Sequence, residues 1–172
     1  MDHEDNCRGA LHPQAIVGLK LFNQRKFFEA HEALEEAWID ENGEIRNLYK
    51  GILQVGVTYL HIMRGNYQGA ITSFQSFLGQ YPRSPLAHRA QYWIGDSYFN
   101  LRDYKNAIAS QQKLMSTYPD SASAPDALLN IASSQAELGD NANARKTMDT
   151  LVARYPSSEA AEKAKRRMTT LR

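Results

Sequence analysis

Read for hydrophobic spacing and internal repetition, the 172-residue chain is expected to be all-α, nine helices forming stacked antiparallel hairpins with a C-terminal capping helix. Three observations carry that expectation. Tyr81-Pro82, Tyr118-Pro119 and Tyr155-Pro156 follow one another at 37-residue intervals. Between these marks the text repeats, with Ala90, Ile94, Leu101, Asp103 and Ala107 answering to Ala127, Ile131, Leu138, Asp140 and Ala144. Apolar residues recur three and four positions apart, and no segment alternates as a half-buried strand would. A fixed period of this length marks hairpins that each bury an apolar face only against the next.

The elements follow in order. Residues 1–12 read as a loose leader, with His3, Cys7 and His12 lacking any regular spacing that would hold a metal. Pro13 opens a first helix to about Asn23, with Ile16, Leu19 and Phe22 on one side. A second runs from about Lys26 to Asp40 on Phe27, Ala30, Leu34, Ala37 and Trp38, and Asn42-Gly43 ends it. A third, Glu44 to Arg64, carries Ile45, Leu48, Tyr49, Ile52, Leu53, Gly56, Tyr59, Leu60 and Met63. Its stripe is wide enough for neighbours on two sides. Gly51 and Gly56 weaken the helix, which points to close backbone contact.

Gly65-Asn66 turns the chain into a fourth helix, Tyr67 to Gln80, with Ala70, Ile71, Phe74 and Phe77 inward. Ser84 as cap and Pro85 as first residue open a fifth helix to Leu101, with Ala90, Ile94, Tyr98 and Leu101 as its core side. Arg102-Asp103 leads into a sixth, Tyr104 to Thr117, built on Ala107, Ile108, Gln111 and Leu114. A seventh starts within Ser121 to Asp126 and ends at Leu138-Gly139; the eighth spans about Asn141 to Arg154 on Ala144, Met148 and Leu151. Ser157 or Ser158 caps a ninth, with Ala161, Ala164, Met168 and Leu171 inside and Glu159, Glu162, Lys163, Arg166 and Arg167 outside. A charged outer face suits a helix that closes a repeat stack to water.

Composition narrows function by exclusion. A net charge of +1 leaves no basic stripe for nucleic acid. The one basic cluster, Lys163, Lys165, Arg166, Arg167 and Arg172, falls in the last turns of a helix, where cations suit the macrodipole. Cys7 is the single cysteine, so no internal disulfide forms and a reducing compartment fits. The polar start has no signal-like apolar region and no run approaches a membrane span. The expected location is cytoplasmic, with no membrane and no nucleic acid as partner.

Two halves carry different wording. From about residue 71 to 172, Ile94-Gly95, Tyr98, Ala107 and Pro119, then Ile131-Ala132, Ala144 and Pro156, resemble tetratricopeptide repeats. Gln91, Gln111 and Gln135 depart from the large or aromatic residues usual there. Tyr81-Pro82-Arg83-Ser84-Pro85, Tyr92-Trp93-Ile94-Gly95-Asp96 and Tyr118-Pro119-Asp120-Ser121 resemble the C-terminal repeat domain of the CpoB family, the Tol–Pal cell-division coordinators. That resemblance implies a periplasmic ancestry for this half and a Tol-type protein partner.

From about residue 14 to 70, the run from Phe27-Phe28-Glu29-Ala30-His31 to Trp38, followed by His61-Ile62-Met63-Arg64-Gly65-Asn66, resembles domain-of-unknown-function family 309. The implied organisation is a leader over 1–12, family-309-like hairpins over 13–70, and repeats with a capping helix over 71–172, packed as one continuous unit. The join at Ala70 to Thr72 has no Gly/Ser linker and keeps the repeat phase. Domains ordinarily meet at exposed linkers. The expectation is therefore an engineered chimera acting as a non-catalytic scaffold, with no cofactor.

Two candidate sites remain. In tetratricopeptide stacks the first helix of each hairpin lines the inner surface, and helical spacing puts Arg89, Tyr92, Asp96, Phe99 and Asn100 there with Asp126, Leu129 and Ser133. Exposed Tyr92 and Phe99 beside mixed charge would hold a peptide or partner helix; alternatively these rings pack against the next hairpin. The second candidate is His31 and Glu35, one helical turn apart, with His61 on the next helix. These form either a metal-dependent site or a buried polar cluster.

Overall fold

A computed structural model describes residues 11–24, 26–43 and 45–170. His3, Cys7, Glu44, Leu171 and Arg172 lie outside the described residues, as does the side chain of Leu48. Among the described residues there are nine helices and no strand: α1 (Pro13–Asn23), α2 (Phe27–Asp40), α3 (Ile45–Met63), α4 (Tyr67–Gln80), α5 (Ala87–Asn100), α6 (Tyr104–Thr117), α7 (Ala124–Glu137), α8 (Asn141–Arg154) and α9 (Glu159–Met168). They divide into two compact units, Met1–Arg64 and Gly65–Arg172.

In the first unit α2 packs against both α1 and α3. Its core is Ala15, Leu34, Ala37, Tyr49 and Leu53, with Trp38, Ile45 and Ile52 at the margin. The contact side of α1 is Ala15 and Gly18, whereas Ile16, expected inward, is exposed. Small residues win there because the helices approach too closely for large ones: a methyl group on Gly18 would stand 2.5 Å from Leu34 Cγ. His12 closes the start of α1, its Nδ1 accepting from the Gln14 N–H while its own N–H donates to the buried Tyr49 hydroxyl at 2.9 Å. Phe22, Phe27 and Tyr59 meet edge-on and stacked, with centroids 5.1 to 6.3 Å apart. Two expectations for α3 are corrected. Met63 is exposed in the last turn, and a methyl group on Gly51 would meet nothing within 4 Å, so close packing does not explain it.

The second unit repeats one turn and one packing rule. Gly65, Arg102 and Gly139 all hold positive φ, at 69°, 62° and 81°. At the latter two, N–H groups of residues 102 and 139 donate to Phe99 and Ala136 carbonyls, and those of 103 and 140 reach Tyr98 and Gln135. This is the Schellman arrangement that satisfies the last carbonyls of a helix. The following residue then caps the next helix, with Asn66, Asp103 and Asp140 side chains accepting from the N–H of residues 69, 106 and 143. Each second helix ends at a tyrosine, and Tyr81, Tyr118 and Tyr155 share φ near −130°. The residue after each is a proline, which cannot continue the helix.

Between the turns, Ala70, Ala107 and Ala144 form a column of zero exposure. Successive helices from α4 to α9 pack in series, and α7 also touches α5 and α9. Leu128, Ile131, Ala132, Met148, Leu151 and the alanines of α9 fill the last part of the core. Burying one such Leu or Met contributes about 1.5–3 kcal/mol. Two boundaries differ from expectation. Helix α5 starts at Ala87, not Pro85, because the Ser84 hydroxyl and carbonyl hold residues 84–87 in a turn, accepting from the N–H of Leu86 and Ala87. Leu101 is exposed, since the chain has already left the helix there.

Two of the three unusual glutamines, Gln91 and Gln111, prove to be structural. Gln91 Nε2 on α5 donates to the Ser110 carbonyl on α6 at 3.1 Å, and Gln111 Nε2 on α6 donates back to the Tyr92 carbonyl on α5 at 3.0 Å. Gln111 is fully buried and lies across Gly95, where a methyl group would stand 2.5 Å from its Cδ and 2.9 Å from its Cγ. One period later the same pair reads Ala132 and Met148. Gly95→Ala should therefore lower stability by about 1–3 kcal/mol, by pushing Gln111 off the Tyr92 carbonyl and leaving a buried amide unpaired. Urea unfolding should show most of the loss recovered in Gly95→Ala/Gln111→Met, which copies the neighbouring repeat. Arg102→Gly should raise stability by about 0.5–1 kcal/mol, since only glycine holds positive φ without strain; the same titration reads it.

Candidate functional site

The inner helices α5 and α7 bring some of the sequence candidates together and disperse others. Tyr92, Asp96 and Asp126 converge. Burial, then the nearby carboxylates of Asp96 and Asp126, push the Tyr92 phenol well above its ordinary value. The ring of Tyr92 meets Trp93 edge-on at 5.6 Å, so it is half-buried and not exposed as expected. Phe99 is corrected in the same way, half-buried with its edge against Tyr104 of α6 at 5.4 Å.

The Asp96 carboxylate sits in a small polar cluster. Its Oδ1 accepts from Asn130 Nδ2 on α7 at 3.2 Å, and its Oδ2 accepts from Asn100 Nδ2 at 3.2 Å, one turn along its own helix. Asn100 also donates to the Asp96 carbonyl at 2.8 Å, so that candidate serves to position Asp96. Burial raises the Asp96 pKa, and the two amides oppose the shift without cancelling it. Asp126 is also raised by burial, opposed by Lys163 and reinforced by Glu159, both on α9.

The remaining candidates play other parts. Arg89 is exposed at the N-terminal end of α5. Leu129 packs against the Met148–Leu151 core. Ser133 is buried, donates to the Leu129 carbonyl at 2.8 Å and accepts from Arg167 Nη1. Sequence reasoning missed Asn130 and placed Arg167 on the outer side of α9. Asn130 had a signal: it stands one 37-residue period after Trp93 and directly follows Leu129, itself an inner-face candidate. A side chain belonging to both the inner surface and the hairpin seam is not separable by helical spacing alone.

A concavity of about 530 Å³ lies between α4, α5 and α6, lined by Gln75, Leu78, Ile94, Tyr98 and Lys113 with Gln91. The Gln91 amide in it is already committed to Ser110. In the first unit, His31 Nδ1 stands 3.6 Å from Glu35 Oε2 on the same face of α2. Among the described residues no three His, Cys, Asp or Glu side chains are arranged to hold a metal, so His61 does not complete a ligand set with them.

Serial hairpins with one inner helix each are the architecture of tetratricopeptide-repeat proteins, and solved structures agree. A tetratricopeptide repeat protein from Parabacteroides merdae matches with a TM-score of 0.64 at 16% identity, over 88% of this chain and 56% of that one. The Cut9–Hcn1 assembly of the APC/C gives 0.66 at 15%, over 92% of this chain but 30% of the other. MamA from Desulfovibrio magneticus RS-1 gives 0.62 at 16%, over 94% and 95%. No curated protein sequence matches the chain. Residues 54–172 match the family described as outer membrane lipoprotein, YfiO, and the chain belongs to that family. Residues 16–72 match the domain of unknown function DUF309, so the two-part resemblance holds. Among the described residues no helix is long and apolar enough to cross a membrane.

The Asp96 cluster has a pH signature. A carboxyl group whose folded pKa is raised above its unfolded value binds protons more tightly when folded, so it adds stability below the unfolded pKa and that contribution is lost as pH rises through the folded one. Asp96→Asn, which keeps an acceptor for Asn130, should melt higher than the parent at pH 7. Thermal melts from pH 7 to 3 should show the difference closing as the parent carboxylate is protonated.

Proposed function

We propose that the chain is a non-catalytic helical-repeat scaffold whose inner α5–α7 face binds a peptide or partner helix. The observation that supports it most is the seating of Tyr92, Asp96 and Asp126 on adjoining inner helices of the second unit. A half-buried aromatic beside fixed charges is the anatomy of an interaction hot spot, in which packing supplies affinity and charge supplies selection. Arg89 and Phe99 extend the face along α5. A Tol-type partner enters by resemblance, and the family's description as outer membrane lipoprotein fits a periplasmic ancestry for the repeats.

A further part of the reading is origin. The two family matches overlap over residues 54–72, the end of α3 and the start of α4, which favours a chimera in which a segment of one family was joined in phase to the other's repeats. Finding a genome that encodes the full chain with this join would contradict it.

The binding reading is tested by selecting ligands from a displayed peptide library and by pull-down with the soluble domain of a Tol-system protein. Tyr92→Ala should weaken capture about tenfold or more while the melting transition stays cooperative. Capture unchanged in Tyr92→Ala would place binding elsewhere.

A further inference from the structure

The polar groups of the α5–α7 face are short of donors. Asp96 is a half-buried carboxylate met by two neutral amides, Asn100 and Asn130. Asn130 is 8% exposed, and its amide orientation is settled by Asp96, since a carboxylate only accepts and must face Nδ2. That leaves Asn130 Oδ1 buried with no donor to it among the described residues. The oxygen is closed to water in this arrangement, so it marks the shortage and is not itself the contacting atom. Asp126 is a second carboxylate near enough to Tyr92 to help raise its phenol. Its compensation is thin, because Lys163, the cation that opposes its shift, is paired at 2.8 Å with Glu159.

Acceptors in excess beside an aromatic ring define a particular guest. A phosphate or an acidic side chain would add negative charge to a cluster already short of positive charge, while a neutral apolar side chain would leave the carboxylates desolvated and unpaired. A lysine ammonium or arginine guanidinium supplies donors and charge together, and its stem and cationic head suit a tyrosine ring.

We propose that the inner face of α5 and α7 receives a lysine or arginine side chain of a partner peptide, with Asp96 as its counter-charge, Asp126 beside it and the Tyr92 ring as its wall. This inference rests on the peptide-binding reading above and names the chemistry that reading leaves open. Binding should therefore weaken with salt and with lysine acetylation.

The test uses four fluorescein-labelled dodecapeptides that alternate leucine with lysine, arginine, glutamate or serine, titrated against the full chain by fluorescence polarisation. The lysine and arginine peptides should bind at least about tenfold more tightly than the other two, and Asp96→Asn should erase that preference while helical circular dichroism is unchanged. Lys163→Ala, by unpairing Glu159 and removing the cation that partly offsets Asp126, should strengthen the cationic peptides further. A preference that survives Asp96→Asn, or equal binding of the glutamate peptide, overturns the inference. If glutamate or serine peptides bind and Tyr92→Ala abolishes it, the groove stands and only its cation selectivity falls. If no peptide binds, the groove reading itself falls.

Discussion

The tight turn that recurs at residues 65–66, 102–103 and 139–140 is the constraint on which the second unit depends. At 102–103 and 139–140 a left-handed residue reverses the chain and the next residue caps the helix that follows, so the α5–α6 and α7–α8 hairpins close in the same way. The alanine four residues past each cap, Ala70, Ala107 or Ala144, is fully buried. Because the turn repeats every 37 residues, α5 and α7 present the same side in the same direction. Asp96 meets Asn130 across the repeat for that reason, 34 positions apart and on different hairpins.

Most of the fold was legible. The Tyr-Pro marks gave the period, the Gly65-Asn66, Arg102-Asp103 and Gly139-Asp140 pairs gave the turns, and all nine helices lie where apolar spacing put them, within two or three residues. The misreadings have identifiable physical causes. Spacing arguments assign large apolar residues to the contact side, whereas α1 meets α2 through Ala15 and Gly18 and leaves Ile16 outside. Leu101 failed because a periodic pattern does not reveal that the last residue of a helix has turned away from the core.

The site was legible in outline only. Helical spacing placed Tyr92, Asp96 and Asp126 on the inner side, and the structure groups them. It could not separate residues that face a groove from residues one turn deeper, which is why Leu129 and Ser133 were read as binding positions although they complete the core and a seam. Nor does sequence show satisfaction: that Asn100 and Asn130 spend their amides on one carboxylate, and that Gln91 and Gln111 spend theirs across α5 and α6, emerges only from coordinates. These polar groups specify how hairpins seat, since each would be costly unpaired.

Amide hydrogen exchange across Gly65–Arg172, resolved residue by residue by NMR, tests the repeated-turn account most directly. The account expects protection maxima around Ala70, Ala107 and Ala144, with minima at residues 65, 102 and 139, so that the profile superimposes on itself when shifted by 37 positions. Lower heights towards the chain end are compatible with this, but the positions should not move. A profile with protection confined to one hairpin, or with maxima out of that register, would contradict it.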